Sequence, residues 1–440
     1  MLLTRKNAFL KFAETFLGRH QKVVRWFLVC WTIVILLFLL PNRGMSPVWS
    51  VPYFSGAANL EAGRGWYFLP SEVDSLKEAR GWSFYTYSFK KGGQGDLQSY
   101  SQNVPGYLYW VYMAHKLIPF FNEVFSIVCL QAFLHAMVCF LSIRMLESRL
   151  ARLIFMLFYA INPLVLYFVT FPFYYFFQSI SAFLLVLFFF GKRPIVAVRI
   201  ALIALGILAF LTRKTVLPMG LMLSGVLFFQ KRFALASLNL AAMVLVPLLL
   251  QYVGLSPKKS PGLWHTAFIG IGAYPNPYPG LQQLSDNCGT SLYKKERDPS
   301  FSLEISGSFV KNTEVMDSYF AFMKENYFRV LNEKPLLLAR NAALNFFQAY
   351  SLGHLSNKPF IFNLLIAISG LCYFFLLVKE RAWFFLISIG MSHLAFTPYF
   401  PPIPAYMFGS YILLVFGFCK VFIENSSSRG QEISVKNSCL

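Results

Sequence analysis

The stretch from residue 123 to residue 170, EVFSIVCLQAFLHAMVCFLSIRMLESRLARLIFMLFYAINPLVLYFVT, decides the fold class. It holds two apolar runs, 123–143 and 153–170, joined by a turn carrying Arg144, Arg149 and Arg152. A helix needs roughly 20 apolar residues to cross a bilayer, and fewer where tilt or neighbours help. Lys and Arg gather in the turns that stay in the cytoplasm. Two apolar runs around a basic turn therefore read as a pair of spans that meet on the cytoplasmic side.

The same pattern extends in both directions. Further runs lie at Val24 to Leu40, 173–190, 196–212, 215–229, 233–253, 359–378, 382–398 and 404–422. That gives about ten spans. Alternate connections are basic: Lys192, Arg193 and Arg199; Lys231 and Arg232; Lys379 and Arg381. The short connections between them, Thr170 to Pro172 and Tyr399 to Pro402, carry no charge. The N-terminus is basic, with Arg5, Lys6, Lys11, Arg19 and Lys22, and no small-residue cleavage site follows the first run. This predicts an uncleaved signal-anchor and cytoplasmic termini. The expected fold class is an all-α polytopic membrane protein with two large external loops. Its parts are a cytoplasmic N-terminus (1–23), transmembrane helix 1 (24–41), an external loop with interfacial helices (42–122) and transmembrane helices 2–7 (123–253). A second external loop (254–358), transmembrane helices 8–10 (359–422) and a cytoplasmic tail (423–440) complete it. Segments 105–121 and 335–350 are too polar to span and read as interfacial helices. The aromatic residues Trp66, Tyr67, Phe68, Trp82, Phe84, Tyr85 and Tyr87 are expected at the water–lipid boundary.

Composition agrees. The chain has 440 residues, 57% hydrophobic and only 13% charged, too few charges to wet the surface of a soluble protein of this size. The net charge of +20 sits in no nucleic-acid-binding signature and fits the anionic headgroups of a membrane, expected to be a bacterial inner membrane. Seven cysteines are scattered without a CxxC pair, and only Cys288 falls in an external segment. Neither a disulfide framework nor a zinc motif follows. No metal site is assigned, no cofactor motif is present, and a divalent metal ion is left open.

Chemistry has few places to reside. No Asp or Glu lies inside a predicted span, with Glu123 at an outer end, which disfavours a proton-driven carrier or flippase. His135 and His393 are mid-span and read first as interhelical hydrogen-bond partners. Arg213 and Lys214 break the charge pattern, because alternation puts their turn outside. Snorkelling to lipid phosphates, or a different span count, explains them blandly; a clamp on the phosphate of a lipid-linked substrate explains them functionally. The external acids include Glu61, Glu72, Asp74, Glu78 and Asp96 in the first loop and Asp286 in the second.

Several short motifs resemble the membrane glycosyltransferases of the GT-C fold, which use polyprenyl-phosphate sugar donors. Tyr53, Ala57, Asn59-Leu60 and Gly63-Arg64-Gly65-Trp66 are similar to that superfamily's first-loop helix. Asn162-Pro163 and Leu211-Thr212-Arg213-Lys214 are similar to its span end and its Arg-containing turn. Trp264-His265, then Gly270-Ile271-Gly272, then Asn276 and Asp286 resemble a second-loop pattern of uncharacterised relatives. The order of span, long loop, bundle and second loop matches as well. The resemblance implies inverting transfer of a sugar from a polyprenyl-phosphate donor to an acceptor on the external face, with membrane lipids and the lipid-linked sugar as partners and no nucleic acid. His265 or Asp286 is then the candidate base, with Asp74 and Asp96 behind them, and Arg213 and Lys214 would bind the phosphate. The chain also departs from the pattern. Trp49 stands where active relatives carry an Asp, and Ala405-Tyr406 replaces a late Arg-Tyr pair. Two other readings accompany this one: an O-antigen-type polymerase or ligase, and a catalytically degenerate lipid-binding or partner protein of the same fold.

Overall fold

Glu123 to Met145 forms one unbroken helix, as its apolar run predicts, started by the Asn122 side chain, which accepts from Phe125 N–H at 2.9 Å. The computed structural model describes residues 29–30, 32, 50–76, 79, 81–93, 96–97, 106–191, 203–204, 206, 217–252, 262–301, 313–356 and 358–424. Among these the chain is helical and contains no strand.

The first long polar segment forms α1 (Val51–Glu61), α2 (Pro70–Ser75), α3 (Trp82–Tyr85) and α4 (Gly106–Leu117). Apolar helices follow: α5 (Glu123–Met145), α6 (Arg149–Phe155), α7 (Pro163–Val169), α8 (Tyr175–Phe190), α9 (Leu217–Phe229) and α10 (Phe233–Tyr252). The second long segment forms α11 (Gly262–Gly270), α12 (Asp286–Glu296), α13 (Thr313–Glu333) and α14 (Pro335–Gln348). The chain closes on α15 (Phe360–Lys379), α16 (Trp383–His393) and α17 (Pro404–Phe418), which runs on as a π-helical turn to Glu424.

Among the described residues, three helices are long and apolar enough to cross a membrane: α5, α15 and Pro404–Glu424. Arg149–Ala160 with Pro163–Val169 makes a fourth if the bent pair counts as one span, and α8, α9, α10 and α16 are shorter or less complete apolar helices. The run 153–170 is thus not one straight rod but is bent by 54°. Pro163 cannot donate an N–H and starts a new helix, capped by Asn162 at 2.9 Å from Leu164 N–H. The carbonyl freed at Ala160 accepts from His135 Nε2 at 2.9 Å. His393, the last residue of α16, pairs with Ser410 Oγ at 2.7 Å, so both histidines join neighbouring helices.

Apolar side chains stay outside along these helices. Phe133, Met137 and Phe140 on α5, and Ile361, Leu365, Ile368 and Phe375 on α15, form exposed rows at helical spacing. Rows of this kind suit contact with lipid.

The described basic turns gather at one end. Glu424 takes the backbone N–H groups of Glu147 and Ser148 and the Lys420 ammonium. Arg232 lies over the Phe188 ring, and Phe190 stacks on Phe385 and meets Phe416. Two of these turns put a cation in the left-handed conformation that favours glycine, Lys231 at φ 59° and Arg381 at φ 54°. The charge is kept there at a backbone cost of about 1 kcal/mol. The opposite end collects both long polar segments. Tyr85 OH donates to Thr170 O at 3.2 Å, and His354 N–H donates to Pro402 O at 2.8 Å.

The first-loop aromatics divide. Tyr67 and Trp82 are exposed, as a boundary position requires, but Phe68, Phe84 and Tyr85 are buried around Phe54 of α1. The loop therefore carries its own aromatic core, continuous with the helical bundle.

Candidate functional site

His265 and Asp286, separated by 21 residues of sequence, face each other across a small three-helix unit. His265 projects from α11, and its Nε2 lies 3.0 Å from Asp286 Oδ1 at the start of α12. Its other nitrogen, Nδ1, lies 2.6 Å from the hydroxyl of Tyr319 on α13. The three helices share an aromatic core of Phe268, Tyr293, Phe301, Tyr319, Phe320 and Phe322.

The motif residues explain themselves locally. A side chain on Gly270 would meet the Tyr399 carbonyl at 2.3 Å, and one on Gly272 would meet the Gln283 carbonyl at 2.3 Å. Only glycine lets α11 approach both the 399–400 turn and the loop leading to α12. Asn276 pins that loop, donating to the carbonyls of Tyr274 at 3.0 Å and Leu281 at 2.5 Å and accepting from Tyr278 N–H at 3.0 Å. Ser285 caps α12 by accepting from Asn287 N–H at 3.2 Å, which sets Asp286 in the first turn, where the helix dipole favours a carboxylate. Gly289, one turn on, leaves room for both partners: a Cβ there would lie 2.6 Å from the Tyr319 hydroxyl and 3.4 Å from His265 Nδ1.

Burial decides the hydrogen positions. Tyr319 is 0% exposed, and desolvation pushes its hydroxyl far above the usual tyrosine range, reinforced by the Asp286 charge. It therefore stays protonated, and where its hydroxyl donates to Nδ1, a neutral His265 carries its proton on Nε2 and donates it to Asp286 Oδ1. The His265 side chain is only 12% exposed, whereas Asp286 is 61% exposed, so the second carboxylate oxygen opens to solvent. The chain Tyr319, His265, Asp286 presents one oriented carboxylate to solvent, with the imidazole enclosed behind it. A carboxylate held in this way can accept a proton from a hydroxyl brought to its free oxygen.

No family model, curated protein or solved structure matches this chain.

Of the other sequence candidates, Asp74 lies exposed on α2 and Asp96 exposed beyond Gly93. Neither joins the His265–Asp286 pair, so the four acid–base candidates do not form one site. Arg213 and Lys214 lie outside the described residues. Sequence reasoning missed Tyr319, which shares its helix face with Met316, Phe320 and Met323 and is indistinguishable by spacing from a core position.

Proposed function

We propose that this protein is a membrane transferase that moves a sugar from a polyprenyl-phosphate donor to an acceptor hydroxyl on the external face. The reading includes the ten-span topology, with 24–40 and 196–212 as spans and both polar segments outside. One observation carries it: the second-loop motif residues that resemble the GT-C superfamily fold into an oriented, solvent-facing carboxylate. In this reaction Asp286 takes the acceptor proton through its free oxygen, while His265, itself held by Tyr319, holds the other oxygen and keeps the carboxylate in place. The acceptor oxygen attacks the anomeric carbon with inversion, and the lipid phosphate leaves toward Arg213 and Lys214.

The test uses the full chain in nanodiscs with a panel of polyprenyl-phosphate sugars and envelope lipid as the acceptor source. Release of polyprenyl phosphate is measured. Asp286→Asn is expected to cut turnover by roughly a hundredfold or more while donor binding stays unchanged, as loss of a general base does. Wild-type turnover in Asp286→Asn overturns the assignment. A second reading, a lipid-binding member without turnover, is favoured by Trp49 and Ala405, which replace an acid and a cation of the superfamily pattern. Donor binding without transfer by any wild-type preparation selects it.

A further inference from the structure

Glu61, His115 and Glu123 meet where three helices end or begin. Glu61 is the last residue of α1, His115 lies in the last turn of α4, and Glu123 is the first residue of α5. Each offers one ligand atom, and all three atoms lie within 4.8 Å of one another. His115 Nε2 is 3.5 Å from Glu61 Oε2, and Lys116 Nζ sits 2.8 Å from the other oxygen, Oε1.

The cluster is short of positive charge on one side. Glu123 is only 8% exposed, and among the described residues its carboxylate accepts only from its own backbone N–H. Lys116 is engaged on the far oxygen of Glu61, and this bond holds the Glu61 carboxyl below the usual range. The Lys116–Glu61 pair leaves the Glu123 carboxylate without an ion pair among the described residues, with the His115 imidazole beside it. A buried, unpaired carboxylate is expensive, and a bound cation or a proton must offset it. His115 Nδ1 is likewise buried with no partner among the described residues.

Geometry favours the cation. Two carboxylate oxygens and an imidazole nitrogen converge from three separate helices. Ligand atoms at about 2.0–2.2 Å from a tetrahedral ion stand roughly 3.5 Å apart, so a small contraction of this cluster closes the shell. Imidazole with carboxylates suits zinc better than magnesium or calcium, which prefer oxygen alone. We propose that Glu61, His115 and Glu123 bind a divalent transition-metal ion, zinc foremost, that ties α1 and α4 to the start of α5. The proposal stands on this geometry and does not depend on the transferase reading.

Zinc itself is the probe. The full chain in detergent is stripped with a chelator, and zinc is titrated against a chromophoric competitor and counted by elemental analysis. One zinc per chain is expected, with a rise in melting temperature that grows with free zinc. Glu123→Gln, which keeps the shape, should weaken binding by roughly tenfold or more and abolish the rise. If that variant does not fold, His115→Gln gives the same reading. Lys116→Met should strengthen binding, because it frees Glu61 Oε1; a site that is merely an ion pair would only lose stability. Equal zinc binding by wild type and Glu123→Gln overturns the proposal, as does a wild type that binds none.

Discussion

The Tyr319 hydroxyl meets His265 Nδ1 at 2.6 Å from inside the core, so it is the atom most worth removing. Without it, Nδ1 has no donor and the imidazole is free to carry its proton on Nδ1. The Nε2 lone pair then faces the Asp286 carboxylate, and two acceptors repel each other. Tyr319→Phe keeps the ring and its packing on Tyr293 and Phe301. We expect a stability loss of about 1 kcal/mol, the usual net worth of one hydrogen bond. Turnover should fall further, by roughly 10–100-fold, as it does when the partner that orients a functional group is lost. The two effects separate a positioning residue from a brace. If the triad only clamps α11, α12 and α13 together, phosphate release at a temperature well below melting will be unchanged in Tyr319→Phe.

At the scale of elements, α11 is fitted to its neighbours by absence of side chains. Gly270→Ala places a methyl 2.3 Å from the Tyr399 carbonyl oxygen and 3.2 Å from Phe400 Cα, both backbone atoms that cannot swing aside. We expect a loss of about 1–3 kcal/mol, typical of overpacking, seen as a lower melting temperature in detergent. Gly280→Ala, with nothing within 4 Å of its Cβ, is the neutral comparison. The helices themselves were legible in the sequence because lipid enforces long apolar runs, and α5 and α15 follow them closely. The bend at Asn162-Pro163 was not read from the sequence, which gives 153–170 as one run, since hydropathy is blind to a proline break and its angle. His265 and Asp286 were singled out in the sequence only through the resemblance of Trp264-His265, Gly270-Ile271-Gly272, Asn276 and Asp286 to a second-loop pattern. Tyr319 was not, for a polar atom on an apolar helix face leaves no trace in periodicity. The cluster of Glu61, His115 and Glu123 escaped for another reason: its members lie in three elements, and no spacing connects them.

The whole molecule has two chemically distinct ends. One holds the described basic turns Arg144 to Arg152, Lys231-Arg232 and Lys379 to Arg381, brought together by Glu424 and by contacts among Phe188, Phe190, Phe385 and Phe416. The other holds α1 to α4, α11 to α14 and the uncharged turns near Thr170 and Pro402. In the topology proposed above, the first end faces the cytoplasm. A membrane-impermeant maleimide on intact cells tests the assignment. Cys288 is partly exposed in the second polar segment, and its thiol donates only to the Gln283 carbonyl at 3.3 Å, so it should react from outside. Cys439 should react only after permeabilisation. Lys91→Cys, at an exposed position of the first polar segment, gives an independent reporter and should behave like Cys288. Cys139 and Cys419 are buried and should stay silent in both conditions. The opposite pattern inverts the chain: Asp286 would then face the cytoplasm, and an acceptor on the external face could not reach it. Agreement of Cys288 and Lys91→Cys with each other, whatever the side, is required by the packing of both segments at one end. Disagreement would mean that the two-ended architecture itself is wrong.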